Sequence, residues 1–278
     1  MSFTRAKAAL SRSRFADLRW VPETGSTNAD GLAALAAAVA GRPGEVIDLV
    51  VVADHQSAGR GRLGRVWESP GNASLLMTVG TTRHVPDFAR GLLLTALSLA
   101  AIEACSAVAG FTPRLKWPND LVAVGIGDDG GDRKVAGVLA EALPLANGQV
   151  GAAVGIGVNC NWGSIPDELA GIATSLDLLT GAAIDREDLA VATVEGFSRR
   201  LDLLATDAGR AAVVMEATQH SATLGRDVRV EFTGLSAETA MVEGLALELD
   251  PDGALVVETE GGERHLVVVG DVIHLRPT

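Results

Sequence analysis

The sequence predicts an α+β fold, with a mixed β-sheet domain flanked by helices and a small C-terminal β-barrel. Over the first 220 residues, apolar runs of strand length mix with helix-length segments, without the regular alternation of a βαβ series. From about Ala222, short strands recur at even spacing and are split by turns such as 250–253. We therefore expect one domain over 1–220 and a second over 221–278.

Helices are expected at three places in the first domain. An Ala- and Leu-rich segment over 31–40 follows Ser26 and Thr27, either of which can cap a helix. The segment 91–110 approaches the length of a membrane span, but its Thr, Ser and Glu side chains indicate a buried helix instead. Two further helices are expected within 185–218.

The strands of the first domain are predicted from runs of apolar, often β-branched residues bounded by turn-forming residues. They are expected at 46–53, 73–80, 114–124 (with a tight turn in the middle), 133–141 and 149–161.

The composition excludes several classes of protein. A hydrophobic content of 47% with 21% charged residues is typical of a globular protein, and a net charge of −12 argues against coating nucleic acid. Cys105 and Cys160 lie far apart without a CxxC motif, so we expect reduced, buried thiols and a cytoplasmic protein. The five histidines are scattered, which makes a zinc site improbable. No DNA or membrane partner is expected.

The loop 56–67 is the most informative segment. Its three glycines and three arginines directly follow the predicted strand 46–53, in a chain that is otherwise acidic. Guanidinium groups match carboxylate and phosphate oxygens, and glycine amides can approach them closely. The loop therefore predicts a small anionic ligand, and we expect a nucleotide together with a carboxylate-bearing molecule.

Two other interpretations of this loop remain open at this point. Gly59, Gly61 and Gly64 match the spacing of a dinucleotide-binding fingerprint, but the following residues make a poor helix start and no acidic residue stands about 20 positions on. A solvated basic turn would also have this composition.

Four separated segments together carry a resemblance to a known family. They are Ser26-Thr27-Asn28, the loop 56–67, Lys116-Trp117-Pro118-Asn119-Asp120, and Lys134-Val135-Ala136-Gly137 with 155–159 behind it. In this order they closely resemble the biotin protein ligases. The resemblance covers about 26–176 and extends to the C-terminal barrel. It implies a catalytic domain of the class II synthetase/biotin ligase type and an SH3-like C-terminal domain.

The family reaction joins biotin to ATP, giving biotinyl-5'-AMP and pyrophosphate, and then passes biotin to a lysine of a biotin carboxyl carrier domain. Biotin carboxylate must attack the α-phosphorus of ATP, so two anions must be brought together by positive charge. The resemblance implies Lys134, Arg62 and Arg60 as catalytic residues. It places Lys134 and Arg62 nearest the carboxylate and α-phosphate, with Arg60 shielding the adenylate.

The remaining site residues are also carried over from the resemblance. Biotin is expected to contact Ser26, Thr27, Asn28, Gln56, Gly59, Arg60, Arg62, Lys134 and Gly137. ATP is expected to contact Arg62, Arg65, Trp67, Asn119, Leu139 and Asn159, with adenine stacked on Trp67. Asp120 is the expected ligand of Mg²⁺, which commonly uses one or two carboxylates and substrate phosphates.

Each of these residues also has a purely structural interpretation. Asn119 and Asp120 could simply form a turn, Lys134 could be a solvated strand end, Trp67 could be core, and Asn159 could be a turn residue. A lipoate- or octanoate-protein ligase and a non-catalytic biotin sensor are the alternative functions.

Some members of the family carry an N-terminal helix-turn-helix domain and act as repressors. About 25 residues precede Ser26, too few for such a domain, so a monofunctional ligase without repressor activity is expected. The expected partners are biotin, ATP and the carrier domain, and the expected oligomeric state is a monomer or weak homodimer.

Overall fold

Seven strands between residues 18 and 159 form one mixed sheet, which confirms the predicted α+β class. The computed structural model describes residues 3–145, 150–232, 241–268 and 270–275. The strands, in chain order, are β1 Leu18–Val21, β2 Asp48–Ala53, β3 Ser74–Thr81, β4 Arg114–Lys116, β5 Asp120–Ala123, β6 Arg133–Pro144 and β7 Val150–Asn159. Their order across the sheet is β1-β2-β3-β7-β6-β5-β4, with β1 parallel to β2 and the other pairs antiparallel.

Helices cover both faces of this sheet. They are α1 Thr4–Leu10, α2 Thr27–Gly41, α3 Gly91–Ala109, α4 Leu176–Thr180, α5 Arg186–Leu203 and α6 Asp207–His220. Alternate residues of β2 show the result: Val50 and Val52 join the core under α3 and α5, whereas Leu49 and Val51 join a second core with Leu35 of α2. A strand buried on both faces needs apolar residues at every position, which explains the uninterrupted run of valines.

The helix α3 lies at the centre of the larger core. The span Asp87–Ala109, which contains it, is long and apolar enough to cross a membrane by length and composition alone, but 61% of that window is buried inside the protein. Leu97, Ala100 and Ile102 are almost fully inaccessible within this core. The prediction of a buried helix at this position is confirmed.

The N-terminal segment differs from expectation in two ways. No helix or strand was expected over the first 20 residues, yet they contain α1 and the edge strand β1. The helix expected over 31–40 begins four residues earlier, at Thr27. Ser26 occupies the N-cap position, but its side chain makes no capping hydrogen bond. Instead Oε1 of Gln56 accepts from the Thr27 amide (2.7 Å), so the cap comes from the loop.

The second sheet is antiparallel and has five described strands. They are β8 Asp227–Glu231, β9 Met241–Leu249, β10 Leu255–Glu258, β11 Arg264–Val267 and β12 Asp271–His274, in the spatial order β11-β10-β9-β8-β12. The predicted turn 250–253 joins β9 and β10, where Gly253 adopts a φ of +84° that favours glycine.

Trp117 joins the two sheets. Its indole packs in the core of the second sheet, and its Nε1 donates to the Gly253 carbonyl (3.1 Å). Its amide donates to the Thr223 hydroxyl (3.0 Å). The peptide bond between Trp117 and Pro118 is cis. Through these contacts of Trp117, the predicted turn between β4 and β5 also presents an aromatic anchor to the second sheet.

Candidate active site

A cavity of about 700 Å³ lies between the first sheet, the loop 56–67 and the start of β12. All but one of the predicted site residues line it. These are Ser26, Thr27, Asn28, Gln56, Arg60, Arg62, Arg65, Trp67, Asn119, Asp120, Lys134, Gly137, Leu139 and Asn159.

The exception is Gly59, which lies in the neck of the loop. Its carbonyl accepts from the Trp67 amide (3.0 Å), and a Cβ at this position would stand 2.3 Å from the Trp67 carbonyl oxygen. Gly59 therefore allows the two sides of the loop to approach each other, and it is not part of the cavity lining.

Hydrogen-bonding side chains without net charge form one end of the cavity, which we call the polar end (Ser26, Thr27, Asn28 and Gln56). Gln56 Oε1 accepts from both the amide and the hydroxyl of Thr27 (2.7 and 3.0 Å). Asn28 Oδ1 accepts from the hydroxyl of Thr78 (2.6 Å). A Cβ at Gly155 would stand 2.0 Å from that amide oxygen, so only glycine leaves room for Asn28.

Leu139, expected at the ATP site, lies beside the polar end. Its carbonyl accepts from Asn28 Nδ2 (3.1 Å). It stands two residues beyond Gly137 along β6, a displacement of about 7 Å for an extended chain. Its contact with ATP stays a prediction.

Thr78 and Glu141 belong to the same network but were not identified from the sequence. Thr78 is a fully buried hydroxyl in the middle of the apolar strand β3. Glu141 accepts from Asn28 Nδ2 (2.8 Å). The period-2 alternation of β6 places Glu141 on the same face as Gly137 and Leu139, which is the signal that could have identified it.

A β-bulge brings Lys134 into the cavity. Lys134 and Gly137 are three residues apart and would normally face opposite sides of a strand. The pairing of β5 with β6 shifts between Leu121 and Val122, so one extra residue of β6 is accommodated there. As a result Lys134 Nζ lies 2.9 Å from where a Cβ of Gly137 would stand.

Lys134 is the centre of the second group of lining residues, which we call the cationic end (Arg62, Lys116, Asp120 and Lys134). Its Nζ lies 2.7 Å from the Asp120 carboxylate and 5.2 Å from the centroid of the Trp67 ring. Burial lowers the pKa of Lys116, although the nearby Asp120 carboxylate opposes this shift. Burial also lowers the pKa of Arg62, but a guanidinium remains protonated at any physiological pH.

Trp67 covers two glycines of the sheet. A Cβ at Gly157 would stand 2.5 Å from Trp67 Cε2, and one at Gly137 would stand 2.9 Å from Cζ3. Trp67 Nε1 is buried and has no hydrogen-bond partner among the described residues.

Asn159, at the end of β7, also has an unsatisfied polar atom. Its Nδ2 donates to the Thr174 carbonyl (2.9 Å), while its Oδ1 is buried without a partner among the described residues. Buried polar atoms nearly always have a partner, so an unpaired acceptor in a cavity wall is suited to receive one from a ligand.

The three arginines of the loop are held by carboxylates from two different sheets. Arg60 pairs with Glu141 (3.0 Å), and Arg65 pairs with Asp271 of β12. Arg62 donates to Asn119 Oδ1 (3.2 Å) and to the Gly270 carbonyl (3.2 Å). The loop is therefore not a freely solvated turn, which was the alternative interpretation, because each of its three guanidinium groups contacts a neighbouring element.

The described residues contain no group of three His, Cys, Asp or Glu side chains that could hold a metal ion by themselves. Asp120 offers a single carboxylate, which is paired with Lys134. This donor set fits a Mg²⁺ ion that is held mainly by phosphates and water.

Comparisons with known proteins match both parts of the chain. The model described as Biotin/lipoate A/B protein ligase family matches residues 47–161, and that described as Biotin protein ligase C terminal domain matches residues 223–275. Biotin–[acetyl-CoA-carboxylase] ligase of Mycobacterium tuberculosis is 35% identical over 261 residues, covering 92% of this chain and 88% of that protein. The protein of the same name from Paracoccus denitrificans is 32% identical, covering 87% and 94% respectively.

A solved structure shows the same fold. Biotin protein ligase from Aquifex aeolicus in complex with biotin and ATP superimposes with a TM-score of 0.73 at 26% identity, covering 95% of this chain and 100% of that one. The resemblance inferred from four short segments is therefore confirmed over nearly the whole length. The chain belongs to the biotin protein ligase family.

Proposed function

We propose that this protein is an ATP-dependent, AMP-forming biotin ligase. It activates biotin to biotinyl-5'-AMP with release of pyrophosphate, and it transfers biotin to a specific lysine of a biotin carboxyl carrier domain. The observation that carries the proposal is the order of three positions along one face of β7. Gly155 stands under Asn28 of the polar end, Gly157 under Trp67, and Asn159 presents an unpaired acceptor beyond them.

The polar end suits the ureido ring of biotin. That ring is neutral and carries both donors and acceptors, so it needs paired partners inside an otherwise apolar pocket. The hydroxyl of Ser26 and the amide of Gln56 supply such partners, and Leu139 and Ile156 supply apolar lining.

The cationic end suits the reacting groups. The attack of a carboxylate on a phosphate concentrates negative charge, and positive side chains that are already in place lower its cost most effectively. Lys134 and Arg62 are the cations of the lining that we assign to this task. In the structure their charges face Asp120 and Asp271 (2.7 and 3.8 Å), so we infer that the substrate oxygens replace these carboxylates as partners.

Mg²⁺ would enter with ATP, where it would neutralise phosphate charge. Asp120 is the residue that would contact it, and release of Asp120 from Lys134 would free Lys134 for the phosphates and Asp120 for the ion. We infer that the adenine stacks on Trp67 and that its exocyclic amine donates to Asn159 Oδ1, since this acceptor has no other partner among the described residues.

The polar end also favours biotin over lipoate or octanoate. Those acids carry no ureido group, so they could not form the hydrogen bonds that we assign to the Ser26 hydroxyl and the Gln56 amide in the lining. A site built for hydrogen bonding rejects an analogue that lacks the group by orders of magnitude.

Three further expectations belong to the same proposal. Transfer to a carrier domain without repressor activity is supported by the acidic charge of −12, which disfavours DNA. A cytoplasmic location is supported by Cys105 and Cys160, which are both buried and unpaired. A monomer or weak homodimer stays the predicted oligomeric state.

The test is pyrophosphate release from ATP and Mg²⁺ with biotin, lipoate or octanoate, without an acceptor protein, with the adenylate identified by mass spectrometry. An adenylate with biotin alone is the expected result. An adenylate with lipoate or octanoate would contradict the substrate assignment. Folded protein that binds biotin but forms no adenylate would instead support a sensor.

A further inference from the structure

Glu141 lies just behind the polar end of the cavity, on β6. It is not itself part of the cavity lining, and its side chain is about one quarter exposed (26%). A single one of its oxygens, Oε2, serves two partners from different elements, namely Asn28 of α2 and Arg60 of the loop.

The first partner, Asn28, is oriented by two acceptors, the Leu139 carbonyl (3.1 Å) and the Glu141 carboxylate (2.8 Å). The Asn28 side chain is nearly identical in shape when its amide is rotated by 180°, so only its partners decide where its donor and acceptor point. A carboxylate has no hydrogen to donate, so Glu141 accepts from the amide nitrogen Nδ2 of Asn28 (2.8 Å). Oδ1 is then directed to the Thr78 hydroxyl (2.6 Å). A rotated amide would place its oxygen against the carboxylate.

The second partner, Arg60, connects the same oxygen to the loop. Its Nη2 lies 3.0 Å from Glu141 Oε2, and its Nε donates to Ser26 Oγ at the longer distance of 3.4 Å. The Arg60 side chain is 43% exposed, so few other contacts fix its position. Glu141 thus holds the beginning of the arginine loop against the wall that carries Asn28.

We propose that Glu141 is a positioning residue for biotin binding, acting through Asn28 and Arg60. This inference rests on the proposed function for the identity of the ligand. The carboxylate orients the amide that meets the ureido ring and keeps the loop beside it. Its contacts lie at the polar end, away from Lys134 and Asn159, so its loss should weaken the binding of biotin and leave that of ATP unchanged.

Two substitutions separate its two contacts. Glu141→Gln keeps an oxygen that can accept from Asn28 but removes the charge that faces Arg60, whereas Glu141→Ala removes both. We expect KM and Kd for biotin to rise about threefold in Glu141→Gln, which loses only the partly exposed ion pair with Arg60. In Glu141→Ala they should rise about tenfold or more, because the stronger hydrogen bond to Asn28 is lost as well. KM for ATP should stay within about twofold. Glu243→Gln, at an exposed glutamate that pairs with Arg229 on the second sheet, is the matched control.

The contact with Asn28 can be tested directly by asking whether Glu141→Gln, which weakens biotin binding in the wild type, strengthens it in a second background. In Asn28→Asp, two carboxylates would face each other at the 2.8 Å contact and repel, so biotin should bind more weakly than in the wild type. Adding Glu141→Gln to this variant restores a donor opposite the new carboxylate and should improve binding. The same substitution impairs binding in the wild type. A purely structural role of Glu141 would make it harmful in both backgrounds.

Kd for biotin, measured by calorimetry alongside adenylation, distinguishes the possible failures. An unchanged biotin Kd in Glu141→Ala, or an equal loss of ATP and biotin affinity, overturns the role of Glu141 alone. Wild-type protein that binds biotin without forming an adenylate overturns the proposed function alone, and the Kd series still tests Glu141. Folded wild-type protein that binds no biotin overturns both.

Discussion

At the scale of single residues, the site depends on a few side chains whose geometry is set by neighbours that carry no chemistry. Lys134 reaches the cavity because a bulge in β6 removes the normal alternation. Asn28 fits because residue 155 is glycine, and Trp67 lies close to the sheet because residues 137 and 157 are glycines.

Replacing Lys134 by alanine should abolish most adenylation while preserving the fold. The ammonium group is the cation closest to Asp120 (2.7 Å), and removal of one preorganised charge at a developing negative charge costs about a hundredfold or more in rate. Pyrophosphate release with biotin and ATP measures this, with circular dichroism as the check on folding. Lys7→Ala, at an exposed position of α1, should match the wild type; near-normal turnover of Lys134→Ala would contradict the assigned role.

Replacing Gly157 by alanine should weaken ATP binding selectively. The new methyl group would stand 2.5 Å from the Trp67 ring, so the indole must move away from the sheet. We expect KM for ATP to rise about tenfold, because one stacking contact with the adenine is lost, and KM for biotin to change little. Gly41→Ala, where no atom lies within 4 Å of the added methyl group, is the control, and equal ATP kinetics in both variants would refute the placement of adenine on Trp67.

At the scale of elements, the arginine loop is a strained but well-anchored hairpin. Arg60 and Val66 form an isolated bridge, and Leu63 adopts a φ of +57° between them. Its charges reach β6, the turn after β4 and the start of β12. Binding of two anionic substrates must therefore exchange these internal partners for ligand oxygens.

Biotin and ATP together should protect the loop from trypsin. Arg65 is 69% exposed and is an accessible cleavage site in the free protein, whereas phosphate oxygens would hold both Arg65 and Arg62 over the cavity. The rate of cleavage after these arginines should fall severalfold with both ligands. Cleavage at Arg12, in an exposed N-terminal turn, provides the internal reference. Equal rates with and without ligands would show that the loop does not close over the adenylate.

Elements with a local signal could be predicted from the sequence, and those that depend on distant partners could not. The strand β2, with its valine run, and the apolar helix α3 were predicted correctly, because burial on all sides leaves a continuous run of apolar residues. The strand β1 was missed, since it is only four residues long and owes its conformation to parallel pairing with β2, some 30 residues away. The cap of α2 was misassigned for the same reason, as Gln56 supplies it from another loop.

The candidate site followed the same rule. The glycines and arginines of the loop form a dense local motif, and all three arginines meet the cavity. Thr78 and Glu141 are isolated polar residues within strands. The alternation along β6 could have placed Glu141 on the face of Gly137, but the register between β3, β7 and β6 is needed to bring both residues to Asn28.

At the scale of the whole molecule, the second sheet contributes residues to the site and is more than an appended domain. Gly270 and Asp271 receive Arg62 and Arg65, and Trp117 anchors the first domain in the second core. Beside this anchor lies a polar cluster at the junction of the sheets, formed by Asp132, Thr223, Arg226, His274 and the nearby Lys116.

The His274 ring in this cluster is neutral in the folded protein. Burial, followed by the charges of Lys116 and Arg226, lowers its pKa to about 4, and Asp132 only partly opposes this. Its Nδ1 lies 3.1 Å from an Arg226 guanidinium nitrogen and 3.2 Å from an Asp132 oxygen, and its Nε2 lies 3.1 Å from the Thr223 hydroxyl. Burial alone would raise the pKa of Asp132, but the Gly125 amide and Arg226 together hold it below its usual range, so that carboxylate stays ionised beside the ring.

This cluster should make the junction of the two sheets sensitive to acid. Between the unfolded pKa of about 6.5 and the folded pKa of about 4, the unfolded chain binds a proton on His274 that the folded protein does not, so stability falls as the pH decreases through this range. The full loss would be on the order of 3 kcal/mol, and the contribution of Asp132 is lost only at still lower pH.

Urea denaturation at pH 7, 6 and 5 measures this loss as the change in the free energy of unfolding. His274→Gln, which keeps an acceptor and a donor but cannot be protonated, should be less stable at pH 7 yet lose less stability on acidification than the wild type. His84→Gln, at an exposed position, should follow the wild-type curve; parallel curves for all three proteins would show that the junction does not titrate through His274.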